Sequence, residues 1–447
     1  MRNRWMVRLM AAGAVLALFG CGLATPTPVA GPLQSVTSQR HASGSPEGPF
    51  LWGVSTAGFQ WEGGETTSQW AAWDAAGKSE ERRGLAADGY RRYTEDLDLT
   101  KGLGCNAFRT SIEWSRIEPE EGRFDPEALR HYREMLVAMR ARGLTPVVTL
   151  MHFVYPAWLD KYGGWQSPQA VTYFNRFVER VVKEYGDLTD WYLTFNEPTV
   201  FIAGGYLSGN LPPGKVNDLK GAALVTKNLV AAHVKAYRTI HANDPVAHVS
   251  FNNYSASWTL TAGPQDDQDD FLRQVLGTDE GLPKLDYIAI DYYTRLKVRL
   301  PFQLPGCWDW PVYPEGFYNA LKHYHQWTGL PVLVAENGMA TEDLKERQDG
   351  WTREAYLTAH VEQLQRAIKD GVPVLGYIHW SITDNYEWGS YRPRFGLYSV
   401  ECRTGDLRRV PTPAADTYRR IIAAGGVTPA IAGTVRYPSS YRPIVRP

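Results

Sequence analysis

Two glutamates in this 447-residue chain stand directly after short apolar runs rich in β-branched and aromatic residues. Glu197 follows Trp-Tyr-Leu-Thr-Phe-Asn (191–196), and Glu336 follows Pro-Val-Leu-Val-Ala (331–335). A pair of carboxyl groups facing one pocket is suited to glycoside cleavage. One protonates the leaving oxygen. The other attacks the anomeric carbon at a separation of ~5–5.5 Å, or activates water at ~6.5–9.5 Å. Either Glu alone would read as an ordinary polar strand end. Yet the ends of similar runs also carry Gln60, Arg109, Glu113, His152, Asn196, Asn252, Asp291, Tyr293, Asn337, Trp380, Asp384, Asn385, Glu387 and Trp388. Charge, hydrogen-bonding groups and flat indole faces with a polar edge are what a sugar ring requires.

The runs that must position these groups number eight: 50–56, 105–112, 145–153, 191–197, 247–254, 286–293, 331–337 and 374–382. Helical patterns alternate with them, for instance Pro126–Arg142 and Arg353–Asp370, each closed by a glycine. Such alternation is the mark of βαβ units and a parallel sheet. Eight strand–helix pairs predict an α/β fold, a single (β/α)8 TIM barrel, whose catalytic groups project from the C-terminal strand ends. Strands four and seven lie roughly across a closed barrel from each other, so Glu197 and Glu336 can share one pocket. A doubly wound open sheet is the rival by periodicity. No Gly-x-Gly-x-x-Gly follows the first run, so a dinucleotide site has no support.

Charge narrows the partners. With 47 Lys+Arg against 48 Asp+Glu, net charge is −1, and no basic stripe interrupts the balance. That offers no bulk attraction to nucleic acid or anionic membrane. The ends of the chain read differently from its body. Met1–Cys21 has a basic start (Arg2, Arg4, Arg8) and an apolar run of ~10 residues, the form of an export signal and too short to span a bilayer. It ends Leu18-Phe19-Gly20-Cys21, which resembles a bacterial lipobox and predicts lipidation of Cys21; plain cleavage is the alternative. Residues 22–49 are a Pro/Ser-rich tether, 50–426 the catalytic barrel, and 427–447 a Pro-rich tail, packed or loose. The expected membrane contact is through the N-terminal anchor alone, at the periplasmic or extracellular face of the cell envelope. Beyond Cys21 only Cys105, Cys307 and Cys402 occur, without metal-type spacing, so at most one disulfide and no metal cluster is expected. The acidic run 266–270 reads as a solvated helix start.

Five segments, in order over about 50–423, resemble glycoside hydrolase family 1, the β-glucosidase and β-galactosidase group. They are Phe50–Gly63, Tyr93–Pro119, Thr194–Pro198, Val334–Gly338 and Tyr377–Tyr398. The resemblance implies a retaining (β/α)8 enzyme that needs no cofactor. It makes Glu197 the acid/base and Glu336 the nucleophile, with Arg109 and Tyr293 holding the nucleophile and Asn196 bonding the sugar 2-hydroxyl. It makes Gln60, His152, Glu387 and Trp388 the grip on the glycone, Trp380 the platform beneath the ring and Trp310 an aglycone wall. Some positions depart from the family's pattern. Asp291 replaces the usual Asn of strand six, where an extra carboxylate could hold the acid's proton or pair with Arg109. Phe153 replaces a Trp, Glu113 stands where many members have Ser, and the loop 389–394 is short. Glu387 stands where members acting on 6-phosphorylated sugars carry Ser, so unphosphorylated glycosides are expected. The alternatives in other classes are a non-catalytic carbohydrate-binding surface lipoprotein and a transglycosidase.

Overall fold

The computed structural model describes residues 48–258, 269–277, 284–296 and 306–445; the export signal, Cys21 and nearly all of the tether lie outside them. Every predicted run contains strand. These are β1 (Leu51–Ser55), β2 (Ala107–Ser111), β3 (Thr145–Met151), β4 (Trp191–Phe195), β5 (His248–Ser250), β6 (Asn252–Trp258), β7 (Ile288–Leu296), β8 (Val332–Asn337) and a last barrel strand, Val374–Trp380. All pair in parallel, in the order β5-β4-β3-β2-β1-last-β8-β7-β6. The sheet's two ends, β5 and β6, are halves of one run interrupted at Phe251, so the chain itself completes the circle. This is the (β/α)8 barrel. The open-sheet rival fails because β4 and β7 each find a partner in the same fifth run.

Helices cover the barrel as the sequence predicts. Pro126–Ala141 starts where Asp125 accepts from the Glu127 amide, and Arg353–Lys369 starts where Thr352 accepts from the Ala355 amide. Their apolar sides join one large buried cluster outside the sheet. A second cluster, including Leu51, Ala107, Val147, Leu193, Ala289, Leu333 and Ile378, plugs the barrel interior. The two-residue alternation of strands then fixes what lies next along the same face. Above Ala107 comes Arg109, and above Ala289 come Asp291 and Tyr293. The site is therefore floored by a packed apolar layer.

The Pro-rich segment after residue 427 packs onto the body through residue 445. Tyr437, Tyr441 and the Ile444 amide all donate to Glu362 on the helix Arg353–Lys369. The acidic run departs from its expectation. Asp270 does open a helix, but Asp269 is fully buried, accepting from Tyr324 at 2.7 Å and His323 at 3.0 Å; residues 266–268 lie outside the described part. Cys105, Cys307 and Cys402 form no disulfide among the described residues.

Candidate active site

The two glutamates reach one pocket through local distortions of regular structure. Glu197 sits in the left-handed region (φ 39°) between β4 and the short helix Pro198–Ile202, its amide donating to the Asn252 carbonyl. Non-glycine residues in this region carry strain of order 1–3 kcal/mol, which persists where surrounding structure enforces it. Phe153 beside His152 (φ 64°) and Trp388 (φ 45°) share this conformation. Glu336 is re-aimed by a register shift on β8. Ile290 faces Val334, but Asp291 faces Glu336, leaving Ala335 as an extra residue. Such a bulge turns the next side chain. Gly338 is required two residues on, because a Cβ there would overlap the Trp380 carbonyl oxygen.

Glu336 is held at both oxygens. Arg109 Nη1 donates to one and the Tyr293 hydroxyl to the other. Arg109 is completely buried and fixed on every side. Its Nε donates to Thr149 at 3.1 Å, Nη1 also to the Ala335 carbonyl, and Nη2 to Asn196 Oδ1 at 2.7 Å. Burial opposes the guanidinium charge, but Glu336 and then Asp291 outweigh it and raise the group above its usual range. Glu197 has the opposite surroundings. Burial, then the negative charges of Asp291 and Glu336, push its carboxyl well above the ordinary range, which favours its protonated form.

Oxygens of Glu197, Asp291 and Glu336 all lie within 4.8 Å of one another. Three acidic groups could in principle ligate a cation, but both oxygens of Glu336 are already engaged by Arg109 and Tyr293. The set is built for proton transfer and attack.

Around this centre, Gln60 Nε2 and Trp380 Nε1 each donate to Glu387 at 3.1 Å, and burial pushes the Glu387 carboxyl up to about 8. His152 lies between two indoles, 5.9 Å from Trp380 and 5.7 Å from Trp388, both nearly parallel to it. Burial and then the Arg109 charge keep it neutral. Trp310 packs edge-on against Tyr293 at 6.0 Å, and Arg347 braces it by donating to its carbonyl at 2.8 Å. The eleven barrel residues to which the resemblance assigns roles are thus linked by hydrogen bonds, ring contacts and charge at one end of the barrel; Cys21 lies outside the described residues. Glu113, by contrast, lies behind the site. It accepts from Ser111 at 2.6 Å, and burial and then Glu62 push it up to about 8.

One lining residue escaped the sequence reading. Tyr254 is buried beside Tyr293, Trp308, Trp310 and Trp380, Glu197 is the charge that acts on it most, and its hydroxyl has no hydrogen-bond partner among the described residues. It stands two residues after Asn252 in the fifth run, so strand alternation carried the signal.

The family model described as glycosyl hydrolase family 1 matches residues 44–275 and 288–427. A β-glucosidase A from Thermotoga maritima is 29% identical, over 86% of this chain and 98% of its own length. A galactolipid galactosyltransferase from Arabidopsis thaliana is 32% identical, over 80% of this chain and 61% of its own length. Among solved structures, the Thermotoga maritima β-glucosidase in complex with deoxynojirimycin superposes with a TM-score of 0.75 at 28% identity, covering 86% of this chain and 99% of that one. A barrel with two carboxyl groups at the ends of its fourth and seventh strand runs thus agrees with sequence similarity spanning the whole body: the chain belongs to glycosyl hydrolase family 1.

Proposed function

We propose that this protein is an exo-acting, retaining β-glycosidase that removes single unphosphorylated glucose-, galactose- or fucose-like units from the non-reducing ends of small β-glycosides. The observation that carries this reading is the proximity of Glu197 and Glu336, whose nearest oxygens lie within 4.8 Å. Carboxyl groups this close fall on the short side of the range, the side that suits direct attack by a carboxylate. Glu336, held by Arg109 and Tyr293, attacks the anomeric carbon. Glu197 gives its proton to the leaving oxygen. Glu336 then carries the sugar as an ester, and Glu197, now ionised, takes a proton from the water that releases it.

The remaining roles follow from position. Asn196, fixed by Arg109, bonds the 2-hydroxyl, a contact that strengthens as the ring flattens toward its oxocarbenium-like transition state. Gln60, His152, Glu387 and Trp388 hold the glycone hydroxyls, Trp380 lies under the ring, and Trp310 forms an aglycone wall. Export and lipidation at Cys21, with the barrel tethered outside the cytoplasm, complete the reading; Met1–Cys21 supports it by its basic start, apolar run and lipobox-like end.

A second reading is favoured by the similarity to a galactosyltransferase: a sugar hydroxyl, in place of water, accepts the glycosyl group. Both readings share every step up to the ester. Hydrolysis of a panel of nitrophenyl β-glycosides, with and without added sugar acceptors, tests them. Release of nitrophenol with free monosaccharide supports the hydrolase. Release mainly as a transfer product supports the transferase. Inertness of the folded protein across β-glucoside, galactoside and fucoside would overturn both.

A further inference from the structure

The mechanism above uses two carboxyl groups, but the pocket centre holds a third. Asp291 is completely buried and belongs to the group whose oxygens lie within 4.8 Å of one another. Its hydrogen bonds come from Asn252 Nδ2, which donates to both oxygens at 3.0 Å. Arg109 spends its donors on Thr149, Ala335, Glu336 and Asn196, and none reaches Asp291. The extra carboxylate therefore does not take the nucleophile's cation.

We propose that Asp291 is a positioning residue for the acid: its carboxylate, anchored by Asn252 and without a cation of its own, is the charge against which Glu197 would have to ionise. The order of deprotonation follows from the donors. Glu336 has a guanidinium and a phenol, Asp291 has an amide on both oxygens, and Glu197 has no side-chain donor among the described residues. Glu197 is thus the last to lose its proton. Among the described residues, the other titratable groups around the pair are Arg109 on β2, His152 after β3, Tyr254 on β6, Tyr293 on β7, Cys307 and Glu387, and of these Arg109 alone is positive. Burial and the Glu336 charge keep Asp291 itself above the usual carboxylate range, but Arg109 and Asn252 favour its ionised form.

The effect extends through the cycle. When Glu336 becomes an ester, its charge is consumed in the new bond. Asp291 remains charged opposite Glu197, which therefore stays a stronger base toward water than it would be facing the ester alone.

The inference rests on the retaining-glycosidase reading, and the test separates the two. The pH dependence of kcat/KM is measured for a phenyl β-glycoside with wild type and with Asp291→Asn, which restores the family's usual residue. The alkaline limb is expected to fall by about one pH unit or more, because one like charge is removed within about 5 Å. A limb that stays or rises overturns the role of Asp291. An inactive wild type would overturn the glycosidase reading instead. In that event 13C-carboxyl NMR decides, with the Glu197 resonance assigned through Glu197→Gln. The Glu197 midpoint falls in Asp291→Asn if Asp291 is the clamp; an unchanged midpoint refutes it.

Discussion

Replacing Glu362 by Gln should make the protein more tolerant of alkaline pH. Glu362 is completely buried on the helix Arg353–Lys369, and burial pushes its carboxyl from 4.5 up to about 7, against the lowering effect of the Ile444 amide and the tail tyrosines. A carboxyl raised in the folded state binds more protons folded than unfolded, so stability falls as pH rises between the two values. Each pH unit in that window costs about 1.4 kcal/mol, which makes the full penalty on the order of 3 kcal/mol, complete by about pH 8. A glutamine at this position has no charge to desolvate and keeps a carbonyl to accept from the Ile444 amide. Glu113 and Glu387, both pushed up to about 8, give slopes of the same sign in both proteins, so the difference between them isolates Glu362. Urea unfolding at pH 5 and 8.5 should show wild type losing about 2–3 kcal/mol more than Glu362→Gln over that interval. Resistance of the C-terminal segment to proteolysis should follow the same trend. Parallel stability curves for the two proteins would refute the reasoning.

Three further outcomes follow. Tyr293→Phe removes one charge-assisted hydrogen bond from Glu336 without changing shape. A bond of this kind contributes about 1.5–3 kcal/mol, so kcat/KM should fall about 10- to 150-fold with little change in melting temperature. Glu197→Ala should slow alkyl glycosides about 10²- to 10⁴-fold, the usual contribution of a general acid, but dinitrophenyl glycosides much less, with azide restoring turnover; equal loss on both substrates would show that Glu197 is not the acid. Gly338→Ala forces a methyl group onto the Trp380 carbonyl; overpacking of this kind costs about 1–3 kcal/mol. Both melting temperature and kcat should drop, since Glu336 lies two residues away.

The barrel was legible because its strands are buried on both faces and therefore read as continuous apolar runs. The site was legible because its groups sit immediately past those runs. What the sequence hid are features made by distant partners or by small backbone shifts. The fifth run breaks at Phe251, with nothing in its residues to mark the break. The bulge at Ala335 that turns Glu336 inward is a matter of register against β7. Asp269 looked solvated because its burial depends on Tyr324 and His323, more than fifty residues away. Likewise Glu362 shows no local sign that the Pro-rich segment will dock on it. Asp291 stands out in the sequence as a departure from the family's pattern, but only the hydrogen bonds of Arg109, none of which goes to Asp291, separate its two conceivable roles.

The stereochemistry of the first product tests the central claim most directly. Proton NMR of the sugar released from a nitrophenyl β-glycoside, recorded before mutarotation, should show the β-anomer first, with the α-anomer appearing only later. That result follows from two displacements, with Glu336 as the carrier between them. Initial release of the α-anomer would mean a single displacement by water, and would contradict the assignment of Glu336 as nucleophile.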